Sequence, residues 1–385
     1  MTGVAPRVLS GARVVTPEGV LDPGWVEIDD GRIVGVGRGT APIAGLGRGT
    51  APGADLGGGW LLPGFIDLHT HGGGGFDVTK SPEAMAGAAQ FHLQHGTTRL
   101  LVSLMAAPVD TLCEQLGWVN ALVAGGHVIG AHLEGPFLAP ARSGAQNRAH
   151  LLDPDLLVLA KLLDAAQGNL RTMTVAPELP GALELIAELV AAGVGAAVGH
   201  TDATFEQASA AFRSGATLAT HLFNAMGPLS HREPGAAVAA LDAGVVVELI
   251  NDGVHVHDAM TRLVMKLRPD RVALITDAVS AAGAGDGCYT LGDRDVVVQD
   301  GEARLSGSLR LAGSTLTMDA AVRRLVRDVG LPIEAAAAAA ASTPARLLGL
   351  SDRCGAIVAG LDADLVHLDD AYSLSRVMSR GAWVR

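Results

Sequence analysis

Cysteine is scarce: Cys113, Cys288 and Cys354 are the three in 385 residues. They are far apart and odd in number, which excludes a disulfide framework and the paired spacing of a zinc ribbon. Plain reduced residues in a cytoplasmic protein are the expectation. Positive charge is also in short supply, with 28 Lys and Arg against 40 Asp and Glu and a formal net charge of -12. A nucleic-acid binder needs a basic face, so that class is excluded. A small phosphorylated partner is not excluded, because one local arginine overrides the global field. No run of about 18 uninterrupted apolar residues occurs, so no membrane span is expected. Met1 to Val14 lack the basic-then-apolar pattern of a secretory leader. Aromatic residues make up only 3%.

What is present is small and apolar: 49% hydrophobic residues and 50 glycines. A chain of this length can bury a large core and suits one large α/β domain with a smaller companion. Residues 8–36 read as short strands rich in β-branched side chains, Val8 to Ser10, Ala12 to Thr16, Trp25 to Ile28 and Arg32 to Val36, with a turn at Asp29-Asp30-Gly31. Residues 37–58 are low in complexity, and Gly37-Arg38-Gly39-Thr40-Ala41-Pro42 recurs as Gly47 to Pro52, which reads as a tolerated surface-loop insertion.

From residue 60 strands alternate with helices. Strands are expected at 61–69, 97–104, 127–134, 171–176, 194–200, 217–221, 246–251 and 271–277, with helices at 83–95, 108–124, 153–167, 181–192, 204–214 and 257–267. Eight βα repeats predict a (β/α)8 TIM barrel. A hairpin-like insertion is expected at 286–310, a helix near 315–329 and another over the alanine run 335–341. Gly355 to Val358, Asp364 to Leu368 and Ala382 to Val384 return to strand. The domains expected are therefore 1–58 and 351–385, joined as a small β-sandwich built from both chain ends, around a barrel at 59–350.

The stretch Leu62-Pro63-Gly64-Phe65-Ile66-Asp67-Leu68-His69-Thr70-His71-Gly72 is a strand running into glycine. Alternation puts Asp67, His69 and His71 on one face. Two imidazoles so spaced can share a cation, but a His-x-His alone is weak evidence. Barrel active sites lie at the C-terminal strand ends. Reading each end gives His69 and His71, then His132 and Glu134, His200, His221, Asp252 and His255, and Asp277. His92, His95, His127, His150 and His367 fall on helices or surface strands and read as structural. Imidazole with carboxylate and no thiolate suits Zn²⁺ first and Fe²⁺ second. Glu134, His200 and His221 would form one site, and His69 and His71 a second with Glu134 bridging. Asp277 faces the same mouth and could accept a proton from an activated water.

At this point the motifs resemble the amidohydrolase superfamily. The runs His132 to Phe137, Val198 to Thr201, His221 to Met226, Asp252 to His255, Leu311 to Ser314 and Gly360 to Val366 narrow that to the N-acetylglucosamine 6-phosphate deacetylases. The resemblance implies a metal-dependent hydrolase of amino-sugar metabolism, with Glu134, His200 and His221 as ligands and Asp277 as acid and base. It implies Ala145, Asn224, Ala225, Arg232, Asp252, His255, Leu311, Ala312 and Gly313 around the sugar phosphate, with Arg232 reaching a neighbouring active site in a homodimer. N-acetylgalactosamine 6-phosphate or a cyclic amide is the alternative substrate. Strand four, Thr174 to Glu178, has no lysine, which argues against dihydroorotase-like relatives. One departure stands out: Gly144-Ala145 is followed by Gln146 where many members carry histidine. The segment 137–147 is a candidate lid.

Overall fold

A computed structural model describes residues 8–41 and 53–385. The second copy of the 37–58 repeat lies outside the described residues. The chain clusters into two compact units. One takes in the described residues up to Ile66 with His92–Arg99 and Met318–Arg385, and the other Asp67–Phe91 and Leu100–Thr317.

The expected barrel is borne out. Its strands are β1 (Phe65–Thr70), β2 (Thr97–Met105), β3 (Val128–Glu134), β4 (Leu170–Val175), β5 (Gly195–Val198), β6 (Leu218–Ala219), β7 (Val246–Ile250) and β8 (Val272–Ile275), each hydrogen-bonded to the next in that order. All neighbouring pairs from β3 to β8 are parallel. The ring closes where the Asp277 N–H donates to the His69 carbonyl and the His71 N–H to the Ala278 carbonyl, each at 2.8 Å. Strands covered on both faces read as continuous apolar runs, and Leu100-Leu101-Val102 in β2 is fully buried. The intervening helices begin at side-chain caps. Asp155 accepts from the N–H groups of Leu157 and Val158, so the helix expected from 153 starts at Leu156. Thr204 and Gln207 form a capping box at the start of Phe205–Arg213.

The segment expected as one strand at 61–69 is two. Trp60–Pro63 pairs in parallel with Val8–Thr16 and antiparallel with Leu365–Leu368, while Phe65–Thr70 opens the barrel. Gly64 separates them. A Cβ there would stand 2.3 Å from Thr98 Oγ1, so the close approach needs glycine. Strands from both chain ends meet in one eight-stranded sheet whose core includes Leu9, Val26, Ile33, Leu61, Leu365 and Met378. Gly355 to Val358 is not a strand, although Ile357 is buried in that core, and Leu374–Ser379 is a strand that the sequence reading missed. The insertion is not a hairpin but a three-stranded antiparallel sheet, Gly287–Leu291, Arg294–Gln299 and Glu302–Leu305. The alanine run is not one helix: a π turn at Ala338–Ser342 separates Ile333–Ala337 from Thr343–Leu347. Pro344 lacks the N–H that a continuous helix would use there.

Candidate active site

The side chains at the strand ends are aimed by backbone that leaves the strand conformation. β5 stops at Val198, β6 at Ala219 and β8 at Ile275. Two residues past each stand His200, His221 and Asp277, with φ of 47°, 26° and 48°. Left-handed backbone costs a non-glycine residue of order 1–3 kcal/mol. Three such residues at one mouth mark a site whose geometry outweighs that cost.

Two buried groups in the barrel unit can hold a cation: His69, His71 and Glu134, and Glu134, His200 and His221. Glu134 belongs to both. Its Oε1 lies 2.9 Å from His200 Nε2 and 3.0 Å from His221 Nε2, and its Oε2 lies 3.2 Å from His71 Nε2. Asp277 Oδ1 is 3.3 Å from His71 Nε2 and 3.5 Å from His69 Nε2.

The far nitrogens decide what this cluster wants. His69 Nδ1 faces Glu248 Oε2 at 3.2 Å, His71 Nδ1 the Ser103 carbonyl at 3.1 Å, and His200 Nδ1 the Arg142 carbonyl at 2.9 Å. A carboxylate and two carbonyls only accept, so each Nδ1 carries the proton. In a neutral ring that leaves an Nε2 lone pair pointing at the Glu134 and Asp277 oxygens. Lone pairs facing carboxylates need a positive charge between them. Burial disfavours protonating His69 and His71, yet the facing carboxylates win: His69 is held well above the usual imidazole range and His71 is raised to about 9. Burial likewise opposes ionising Asp277, but His69 and His71 hold it down at about 2. This donor set fits a divalent cation.

His132, read from the sequence as a member of the ring, belongs to neither group. Its Nδ1 meets Ser103 Oγ at 3.0 Å and its Nε2 meets Thr174 Oγ1 at 2.8 Å. Burial, then His69, holds it well below the usual range, as a neutral ring. Asp67 shares the face of His69 and His71 but lies deeper, where it accepts from Thr276 Oγ1 at 2.6 Å. Burial raises it to about 7. The five histidines read as structural lie outside both groups.

Above the cluster is a pocket of about 250 Å³. That is room for a monosaccharide, below the roughly 300–1,000 Å³ of larger ligand sites. Ala145, Asn224, Ala225, His255, Leu311 and Gly313 line it, as do His71, Glu134, His200, His221 and Asp277. Ala312 is instead buried in the insertion's core, and Asp252 stands behind His255 with Oδ2 at 2.6 Å from His255 Nδ1. Arg232 does not line this pocket. It sits in a separate cleft with Asp202, Glu206 and Glu233. Arg310 is the arginine that does line it, and the sequence reading did not name it. Glu248 was also missed, although a carboxylate inside the apolar strand Val246-Val247-Glu248-Leu249-Ile250 is a signal in itself.

The Amidohydrolase family matches residues 60–384. The chain is an amidohydrolase. Amidohydrolases are metal-dependent hydrolases of carbon–nitrogen bonds, and the donor set described above is of that kind. This amidohydrolase is 38% identical over 339 residues to N-acetylglucosamine-6-phosphate deacetylase of Bos taurus, covering 84% of this chain and 83% of that protein. It is 36% identical over 381 residues to N-acetylgalactosamine-6-phosphate deacetylase of Escherichia coli O157:H7, covering 97% and 98%. A solved mutant of N-acetyl-D-glucosamine-6-phosphate deacetylase from Mycobacterium smegmatis, in complex with N-acetyl-D-glucosamine-6-phosphate, matches at a TM-score of 0.93 and 43% identity, covering 99% of this chain and 100% of that one.

Proposed function

We propose that this amidohydrolase removes the acetyl group of N-acetyl-D-glucosamine 6-phosphate by hydrolysis, releasing acetate and glucosamine 6-phosphate. The observation that carries this reading is one carboxylate, Glu134, shared by two pairs of histidines under a monosaccharide-sized pocket, in a chain so similar to deacetylases of that sugar.

Glu134, His200 and His221 would hold one divalent cation, and His69 and His71 with Glu134 a second. Zn²⁺ suits imidazole and carboxylate best, with Fe²⁺ as the alternative. Such a cation polarises an amide carbonyl and acidifies water. Asp277 Oδ1 stands beside His69 and His71 at the pocket wall, which supports it as the acceptor of the attacking water's proton. The same carboxyl then delivers that proton to the departing nitrogen. Asn224, Ala225 and His255 are placed to orient the sugar. Its phosphate needs a cation, for which Arg310 is at hand in the same chain and Arg232 would come from a second copy in a homodimer. Gly144 and Ala145 bring the 137–147 segment to the pocket wall, which supports its reading as a lid. Among the described residues no helix is long and apolar enough to cross a membrane. A cytoplasmic location fits a substrate of this kind.

N-acetylgalactosamine 6-phosphate is the second reading, favoured by the relative from Escherichia coli O157:H7 that spans nearly the whole chain. Acetate release from both phosphorylated sugars, and from each sugar without phosphate, separates the readings. Faster turnover of the glucosamine epimer with its phosphate is expected. Failure to release acetate from either phosphorylated sugar would end the proposal.

A further inference from the structure

Of the buried carboxylates that the proposed chemistry leaves unused, one stands against both cation groups. Glu248 lies in the middle of β7 and is almost fully buried, in a strand otherwise made of valine, leucine and isoleucine. A buried carboxylate is costly unless its oxygens are engaged and its charge is matched. Its Oε2 accepts from the backbone N–H of His221 at 3.1 Å and meets His69 Nδ1 at 3.2 Å. A single oxygen therefore touches one histidine from each cation-binding group.

The three acceptors behind the histidines are not equivalent. Those of His71 and His200 are neutral backbone carbonyls. That of His69 is a carboxylate, which fixes the ring's tautomer and also makes its Nε2 a stronger donor. The charges point the same way. Glu134 is the one carboxylate among the donors of the two groups. Glu248 adds a second negative charge, on the His69 side.

We propose that Glu248 is a positioning residue that makes His69, His71 and Glu134 a filled second cation site, by holding His69 with Nε2 directed at Glu134. The inference rests on the reading of Glu134 as a shared ligand, but not on the identity of the substrate. It makes Glu248 a residue on which filling of the second site depends.

The test is metal uptake by the full chain after chelation, with Zn²⁺ added back and counted per subunit by elemental analysis. Wild type should take two equivalents. Glu248→Gln keeps the side-chain volume and an accepting oxygen but loses the charge. It should keep the first equivalent at wild-type affinity and bind the second about tenfold more weakly. Glu248→Ala should weaken the second about 100-fold, with the first again unchanged. Partial rescue by glutamine separates positioning from a general loss of structure, and Co²⁺ absorption of the second equivalent gives a spectroscopic check. If Glu248→Ala does not fold, the glutamine variant decides alone. A wild type that takes one equivalent, or a glutamine variant with an unchanged second affinity, overturns the proposal. Acetate release by the wild type is measured separately, so failure of the deacetylase reading is distinguishable from failure of this one.

Discussion

Gln146 donates its side-chain amide to Glu134 Oε2 at 2.5 Å, while its own Oε1 accepts from the Ala106 N–H at 2.9 Å. Gln146 thus clamps the carboxylate on which both cation groups depend. Gln146→Leu keeps the volume and removes both bonds, leaving the Ala106 N–H buried without a partner. It should lower stability by about 1–3 kcal/mol in urea unfolding of the metal-free protein. It should also reduce turnover, because Glu134 loses its orientation. A variant equal to wild type in both measurements would show that the clamp has no consequence.

Asp277→Asn keeps shape and burial but cannot take a proton. The expected outcome is a fall in kcat of about 10²–10⁴-fold in the acetate-release assay. Metal content should stay at the wild-type level, because the two donor groups do not include Asp277. Retained turnover would remove Asp277 from its role, and lost metal would make it a ligand instead.

Arg232 lies outside the pocket of its own chain, so its proposed role needs a second copy. Arg232→Ala and Asp277→Asn should each be nearly inactive as pure proteins. Mixed and reassembled, they should regain about a quarter of wild-type activity, since half the dimers would be mixed and one of the two sites in each would be intact. No recovery on mixing would leave Arg310 as the phosphate's cation. Arg310→Ala should in any case raise KM for the phosphorylated sugar more than for the plain one.

The Asp252–His255 pair gives a pH dependence. Burial disfavours the charged ring of His255, but its bond to Asp252 prevails and holds its pKa above the usual value. Burial also opposes the Asp252 carboxylate, which His255 nevertheless keeps below the usual range. A raised histidine contributes stability below its unfolded value, about 6.5, and loses it as pH climbs through the folded value. A lowered aspartate contributes above its unfolded value, about 3.9, and loses it as pH falls through the folded value. The pair is therefore worth most between about pH 4 and 6.5. Asp252→Asn should lose more stability at pH 5.5 than at pH 9 in denaturant unfolding. An equal gap at both would contradict this.

The strand ends were legible because one periodicity governs them. An apolar run that stops at a histidine or carboxylate names both the strand and the residue at the barrel's mouth. Alternation put His69 and His71 on one face. Alternation also put Asp67 on their face, but two residues of strand are nearly 7 Å, and that distance carries Asp67 below the site into the arms of Thr276. His132 sits at a strand end like the others, yet Ser103 and Thr174 occupy both its nitrogens. Nothing local to residue 132 signals those partners.

Hydrophobic period and strand order act along the chain, so the barrel, the sheet of strands from both termini and the candidate residues at the strand ends could be read from the sequence. The tertiary structure alone decided which of those residues face a common centre and which proton each imidazole carries. Those properties depend on what stands behind each ring: Glu248 behind His69, the Ser103 carbonyl behind His71, the Arg142 carbonyl behind His200. Such partners come from other strands and loops, and a hydrogen bond between distant segments has no period to betray it.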